Sequence, residues 1–163
     1  MNYEKITWDN WEECIDLEVA DEQADYIASN KYSLAESYVA LLNDDKPPMS
    51  FAIYDDETMV GFMMLQYDTV EENGYEVDDA PYYDICRFMI DKKYQNKGLG
   101  KQSLVKLLEY IKTFPQGEAT AIYVGYNIKN SIVRKLFQSF GFIETGKQYV
   151  FGEDIEVIAR LAL

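Results

Sequence analysis

The chain contains no histidine. Every mechanism that rests on a histidine base or a histidine metal ligand is thereby excluded. Only two cysteines are present, Cys14 and Cys86. Two are too few for a zinc site or a disulfide framework, and their contexts, EECID and YDICRFMID, read as buried free thiols in a reducing compartment. No apolar run approaches the roughly 18 residues of a membrane span. The opening residues, MNYEKITWDNWEE, lack the basic and apolar regions of a secretory signal. No linker, repeat or low-complexity segment stands out. Basic residues are scarce as well: 15 Lys and Arg face 29 Asp and Glu, a net charge of −14. That balance argues against nucleic-acid phosphates and anionic membranes as partners. The expectation is one soluble, cytoplasmic domain spanning residues 1–163.

What is there is a chain able to fold. Apolar residues make up 48% of it and aromatic residues 15%, with 14 tyrosines. Tyrosine combines packing area with a polar tip, which suits core edges and clefts. The negative charge permits attraction of cationic substrates.

The periodicity orders the elements. YEKIT alternates as an opening strand. DNWEECIDLEV has helical spacing of Trp11, Ile15 and Val19 behind a capping Asp9. DEQADYIA continues as a second helical piece. SLAESYVALLNDD follows, with Ser33 and Glu36 reading as a capping box. The period then changes. MSFAIYD and MVGFMMLQYD read as strands joined by a turn at Asp55, Asp56 and Glu57. YYDICRFMID is a buried strand. GLGKQSLVKLLEYIKTF is an amphipathic helix with a stripe of Leu99, Leu104, Leu107, Leu108 and Ile111. ATAIYVGY lacks polar alternation, which predicts burial on both faces. NSIVRKLFQSFGF is a helix opened by Asn130 and closed around Gly141. The C-terminal residues form a strand pair. The order β, helices, βββ, α, β, α, ββ predicts an α+β fold with a mixed sheet.

One stretch carries chemistry: YQNKGLGKQSLVKLLEYI, residues 94–111. A glycine-rich loop running into a helix presents unpaired N–H groups and the positive end of the helix dipole, which suits phosphate. Gly98 and Gly100 allow close backbone approach, and Lys97 and Lys101 add charge. The loop lacks the third glycine of a dinucleotide-binding fingerprint and the Gly-Lys-Ser/Thr of a Walker A loop.

The residues around it resemble the GNAT superfamily of N-acetyltransferases. RFMIDKKYQNKGLGKQSLVKLL is similar to that family's acetyl-CoA-binding segment, with Gln95-Asn96-Lys97-Gly98-Leu99-Gly100 as its Gln/Arg-x-x-Gly-x-Gly/Ala element. A second element follows: Asn130, then Phe137 seven residues on, then Gly141-Phe142. LEVADEQADYIASNKYSLAES resembles the corresponding region of bacterial members that acetylate spermidine, spermine or diamines. Leu17, Gln23, Tyr26, Ser29, Asn30, Ser33 and Leu34 carry that likeness.

The resemblance implies a mixed, mostly antiparallel sheet of about six to seven strands, splayed at the acetyl-CoA site and flanked by helices. It implies acetyl-CoA as co-substrate and no metal. The pantetheine arm would pair with backbone at Phe88 and Ile90, and a backbone N–H near Met89 would polarise the thioester carbonyl. The N–H groups of residues 97–101 would hold the pyrophosphate. Asn130 would contact the pantetheine, cap the following helix, or both. Phe137 stands where the family usually has a tyrosine that protonates the departing thiolate. Phenylalanine can pack there but cannot donate, which leaves Tyr126, Tyr149 or water as the donor. Superfamily members often dimerise through C-terminal strands, so a homodimer is a further expectation.

An attacking amine must lose a proton, so a base is needed. Without histidine the candidates are acids: Asp84 on the strand into the cofactor segment, and Glu18 and Glu22 in the first helical region. Glu18, Glu22, Tyr26 and Asp84 are also candidate substrate-binding residues. Residues 68–84 hold Asp68, Glu71, Glu72, Glu76, Asp78, Asp79 and Asp84, with Tyr67, Tyr75, Tyr82 and Tyr83 among or beside them. Such a segment would suit a polyamine through charge and cation–π contacts, or would serve as a solvated acidic loop. The expected activity is transfer of acetyl to a polyamine by direct attack on the thioester. The alternatives are another acceptor, such as an aminoglycoside, an amino acid or a protein N-terminus, and a non-catalytic acyl-CoA-binding regulatory domain.

Overall fold

The computed structural model describes residues 1–69 and 80–163. Of the acidic segment, Glu71, Glu72, Tyr75, Glu76, Asp78 and Asp79 lie outside the described residues. The order is β1 (Asn2–Lys5), α1 (Trp11–Asp16), a 3-10 turn (Asp21–Tyr26), α2 (Asn30–Asn43), β2 (Met49–Asp55), β3 (Thr58–Asp68) and β4 (Tyr82–Ile90). Then come α3 (Leu99–Ile111), β5 (Ala121–Asn127), α4 (Ser131–Gln138), β6 (Ile143–Phe151) and β7 (Asp154–Ala162). The strands form one seven-stranded sheet in the order β1-β2-β3-β4-β5-β7-β6. Every neighbouring pair is antiparallel except β4 and β5. This is the expected α+β architecture. Among the described residues no helix is long and apolar enough to cross a membrane.

Helices cover both faces, which explains why the central strands read as continuous apolar runs. Met63, Leu65 and Tyr67 of β3 point into the larger core with Leu104, Leu107 and Ile111 of α3 and Phe137 of α4. Their neighbours Phe62 and Met64 point the other way, into a smaller core with Cys14 of α1 and Leu34 of α2. The period-2 alternation of a strand thus serves two apolar layers.

Two helix starts differ from expectation. Asn10 rather than Asp9 precedes α1, and its Oδ1 accepts from the Thr7 N–H at 2.8 Å. Ser29 rather than Ser33 caps α2, accepting from the Tyr32 N–H at 3.2 Å. Ser33 is buried; its Oγ donates to the Ser29 carbonyl and accepts from Arg87. Glu36 pairs with Arg87 instead of completing a capping box.

Two features of β4 open the sheet. Its pairing with β5 consists of Tyr83 with Ile122 and Asp84 with Tyr123, and then stops. β5 meanwhile stays paired with β7 along its whole length, Ala121 to Asn127. The second feature is a bulge. On β3, Leu65 pairs with Ile85 and Met64 with Arg87, so Cys86 is the extra residue. A bulge bends its strand and ends regular pairing, and here it sits where β4 leaves β5.

Candidate functional site

The gap between β4 and β5 opens into two clefts, one on each side. The first encloses about 370 Å³ and runs from the gap to the start of α3. Gln95, Asn96, Gly98, Leu99, Gly100 and Lys101 line it, together with Phe88, Met89 and Ile90 of β4 and Asn130 and Phe137. All but one of the residues expected around acetyl-CoA are therefore brought together. The exception is Lys97, which lies outside the lining. Its Nζ donates to the Lys93 carbonyl at 3.1 Å and sits 5.2 Å from the centre of the Tyr94 ring.

The loop owes its shape to left-handed backbone at Asn96 (φ 61°) and Gly98 (φ 79°). Gly98 caps α3 with no side chain to offer, so the first N–H groups of the helix stay available. Gln95 pins the loop: its Nε2 donates to the Ile90 carbonyl at 2.9 Å and to Gln23 Oε1 at 2.8 Å. Asp91, buried, accepts from the Glu18 and Lys93 N–H groups. Asn130 Oδ1 accepts from the Val133 N–H at 3.2 Å, so it caps α4 while lining the cleft.

The strand geometry narrows which N–H near Met89 faces the gap. A Cβ on Gly61 of β3 would collide with the Met89 carbonyl oxygen, so that carbonyl faces β3. The Asp91 N–H, two residues on, donates to Val60 on the same edge. In an extended strand a residue's N–H and C=O leave by one edge. The Met89 N–H therefore faces β3, and the edge of β4 toward the gap is that of Phe88 and Ile90.

The second cleft encloses about 830 Å³ and is acidic. Asp25, Glu36 and Asp44 enter it from the helical side, Asp68 and Asp84 from β3 and β4, and Asp154 and Glu156 from β7. Arg87 is the cation in its lining, and its guanidinium is held by Glu36 at 2.9 Å and the Ser33 Oγ at 3.2 Å. Asp84 is 9% exposed, Asp68 4%. Burial first, then the charge of Asp68, pushes the Asp84 carboxyl up to about 7. Among the described residues, Asp84 Oδ1 has no hydrogen-bond partner.

Tyr26, Ile27, Ile85, Cys86, Arg87, Gly125 and Tyr126 line both clefts, so the two meet where β4 leaves β5. The other candidates are placed unevenly. Glu22 and Tyr26 line the first cleft, and Tyr149 lines the acidic one. Glu18 lines neither. Its carboxylate pairs with Lys92 Nζ at 2.7 Å, and that hydrogen bond lowers its pKa, the reverse of what a base near neutrality needs. The Tyr126 hydroxyl donates to Glu144 at 3.0 Å, and burial raises its pKa, so it is a reluctant acid. Sequence reasoning does not single out Arg87, Asp25 or Glu156 as site residues, and it places Asp68 only in a run of acids. Their signal is acidic or basic character spread over separate elements.

Residues 6–142 match the acetyltransferase (GNAT) family. The "probable spermine N(1)-acetyltransferase" of Bacillus subtilis subsp. natto (strain BEST195) is 32% identical over 96% of this chain and 97% of its own length. The "spermine/spermidine N(1)-acetyltransferase" of Bacillus subtilis (strain 168) is 31% identical over the same shares. Among solved structures, a spermidine N-acetyltransferase from Vibrio cholerae, in complex with CoA and spermine, superposes with a TM-score of 0.71. It is 16% identical over 99% of this chain and 94% of its own. An aminoglycoside acetyltransferase in complex with coenzyme A reaches 0.76 at 13% identity, over 98% of this chain and 93% of its own. These two structures share the fold and differ in the amine their names state, so fold alone does not select the acceptor. The chain belongs to the GNAT acetyltransferase family.

Proposed function

We propose that this GNAT acetyltransferase takes acetyl from acetyl-CoA and passes it to a primary amine of a polyamine such as spermidine or spermine. The observation that carries the reading is the meeting of the two clefts at the β4 bulge, one with a phosphate-suited loop and one lined by carboxylates. The names of the two Bacillus relatives support the same acceptor class.

The first cleft fits the cofactor by its chemistry. Its loop offers helix N–H groups at an uncapped α3 start, and β4 offers an edge that β5 does not pair. Lys101 adds a cation at the loop. In the second cleft, Asp68, Asp154 and Glu156 hold the distal ammonium groups of the acceptor while one terminal amine enters the junction. Asp84 takes the proton of that amine, a role suited to a carboxyl poised near neutrality. The freed nitrogen attacks the thioester carbonyl carbon, the C–S bond breaks, and CoA leaves as thiolate. Phe137 cannot donate a proton, the Tyr126 hydroxyl is committed to Glu144, and Tyr149 lies in the acidic cleft. The thiolate accordingly takes its proton through water, which relays the proton that the attacking nitrogen sheds as it becomes the amide.

The test follows CoA thiol release from acetyl-CoA against spermidine, spermine, putrescine, lysine, an aminoglycoside and a basic peptide. Turnover concentrated on the polyamines is expected. Preference for another amine would overturn the acceptor, and binding of acetyl-CoA without turnover on any amine would overturn the enzyme reading in favour of an acyl-CoA-binding regulatory domain.

A further inference from the structure

We propose that Cys86 is a positioning residue, its thiol holding the Asp84 carboxyl in the orientation in which it receives the amine proton; this rests on the reading of Asp84 as base. Cys86 is the bulged residue of β4 and lines both clefts. Its Sγ lies 3.6 Å from Asp84 Oδ2 and 3.7 Å from the Asp84 carbonyl, with the S–H donating. Among the described residues this is the one side-chain hydrogen bond to the Asp84 carboxyl, whose Oδ1 is left unpartnered inside the cleft wall.

The choice of a thiol matters. The groups around Asp84 are Asp68 from β3, Glu156 from β7, and Tyr82, Cys86 and Arg87 from β4. Asp68 and Glu156 favour the protonated carboxyl, Cys86 and Arg87 the ionised one. A thiol is a weak donor, so it orients the carboxyl without stripping its affinity for protons. Burial and the Asp84 charge in turn push the thiol far above its ordinary pKa. Cys86 therefore stays S–H beside a thioester that a thiolate would attack.

The experiment measures kcat/KM for spermidine against pH for the wild type, Cys86→Ala, Cys86→Ser and Asp84→Asn. An infrared titration of the protonated carboxyl band that Asp84→Asn removes runs alongside. Losing the donor raises the Asp84 pKa. Cys86→Ala should move the acidic limb and the infrared midpoint up by about half a pH unit, a loss of about threefold on the limb that vanishes at high pH. Cys86→Ser, which keeps a donor, should return the limb to the wild-type position or below it. Cys86→Val supplies a second donor-free variant if alanine unfolds the bulge. A wild-type profile in the donor-free variants, or equal displacements in Ala and Ser, would overturn the proposal while leaving Asp84 as base. A wild-type rate and profile in Asp84→Asn would overturn the base reading itself.

Discussion

The ring of Tyr126 lies parallel to that of Phe137, with planes 2° apart and centroids 6.2 Å apart. Phe88 and Phe142 close on Phe137 edge-on, at 6.2 Å and 5.1 Å, and Phe137 is 1% exposed. Phe137, the position where the family resemblance implies a tyrosine acid, is here the centre of an aromatic cluster on the wall of the first cleft.

That packing predicts the outcome of Phe137→Tyr. The added hydroxyl enters an apolar cluster and should cost about 1–2 kcal/mol of stability. A CoA thiol needs little help in leaving near pH 8, so kcat should change by less than about threefold. Steady-state rates and thermal melts check both. A rise in kcat of about a hundredfold, the scale of a general acid's contribution, would show that the natural chain runs without an acid it needs.

As the proposed base, Asp84 would tie activity to stability. Its pKa rises from an ordinary 3.8 to about 7 on folding, so the folded state holds more protons between those values. Stability from this group is full below about pH 4 and is lost as pH rises through 7. Asp84→Asn removes that loss. Thermal melts should find the variant more stable than the wild type at pH 8, by a few kcal/mol, because each tenfold change in proton affinity is worth about 1.4 kcal/mol. The gain should vanish near about pH 4 while the acetyl-transfer rate falls about 10²-fold or more.

Asp68→Asn separates binding from proton transfer. Asp68 raises the Asp84 pKa through its charge and also lines the acidic cleft. Its neutralisation should move the acidic limb of the pH profile to lower pH and raise KM for spermidine several-fold. The two effects have opposite signs at low pH, and full profiles resolve them.

The two loop glycines should differ. Gly98 is left-handed, and a Cβ there meets nothing within 4 Å. Gly98→Ala should therefore lose about 1–2 kcal/mol from backbone conformation alone. A Cβ on Gly100 would make ordinary contacts, 3.7 Å to Ile90 and 3.9 Å to Leu136. Gly100→Ala should melt as the wild type or higher, since alanine favours helix. Because Gly100 lines the cofactor cleft, where close backbone approach to phosphate matters, calorimetry should still show acetyl-CoA binding weakened about tenfold.

The lining of the proposed cofactor cleft was legible because its residues are consecutive. Gln95 to Lys101 form one loop, and the element order around it follows from periods and turns. The acceptor side was not, because Asp25, Glu36, Asp68, Asp84 and Glu156 sit on five separate elements that only the fold assembles. Acidic character was visible at Asp84, but its burial and, among the described residues, its unpartnered Oδ1 were not. Nor was the pairing of Glu18 with Lys92, 74 residues away. Ser33 and Glu36 matched a capping box by spacing, yet both bind Arg87 instead. Nothing in YYDICRFMID marks Cys86 as a bulge, because a bulge is a property of register with β3.

On the proposed reading, the acidic cleft selects acceptors by the number of ammonium groups they carry. This selection is tested most directly by kcat/KM for propylamine, putrescine, spermidine and spermine at low and high ionic strength, with acetyl-CoA saturating. We predict a rise with each added charge, by about tenfold or more from monoamine to spermidine, that flattens as salt screens the cleft. Equal kcat/KM across the series, unmoved by salt, would contradict the account.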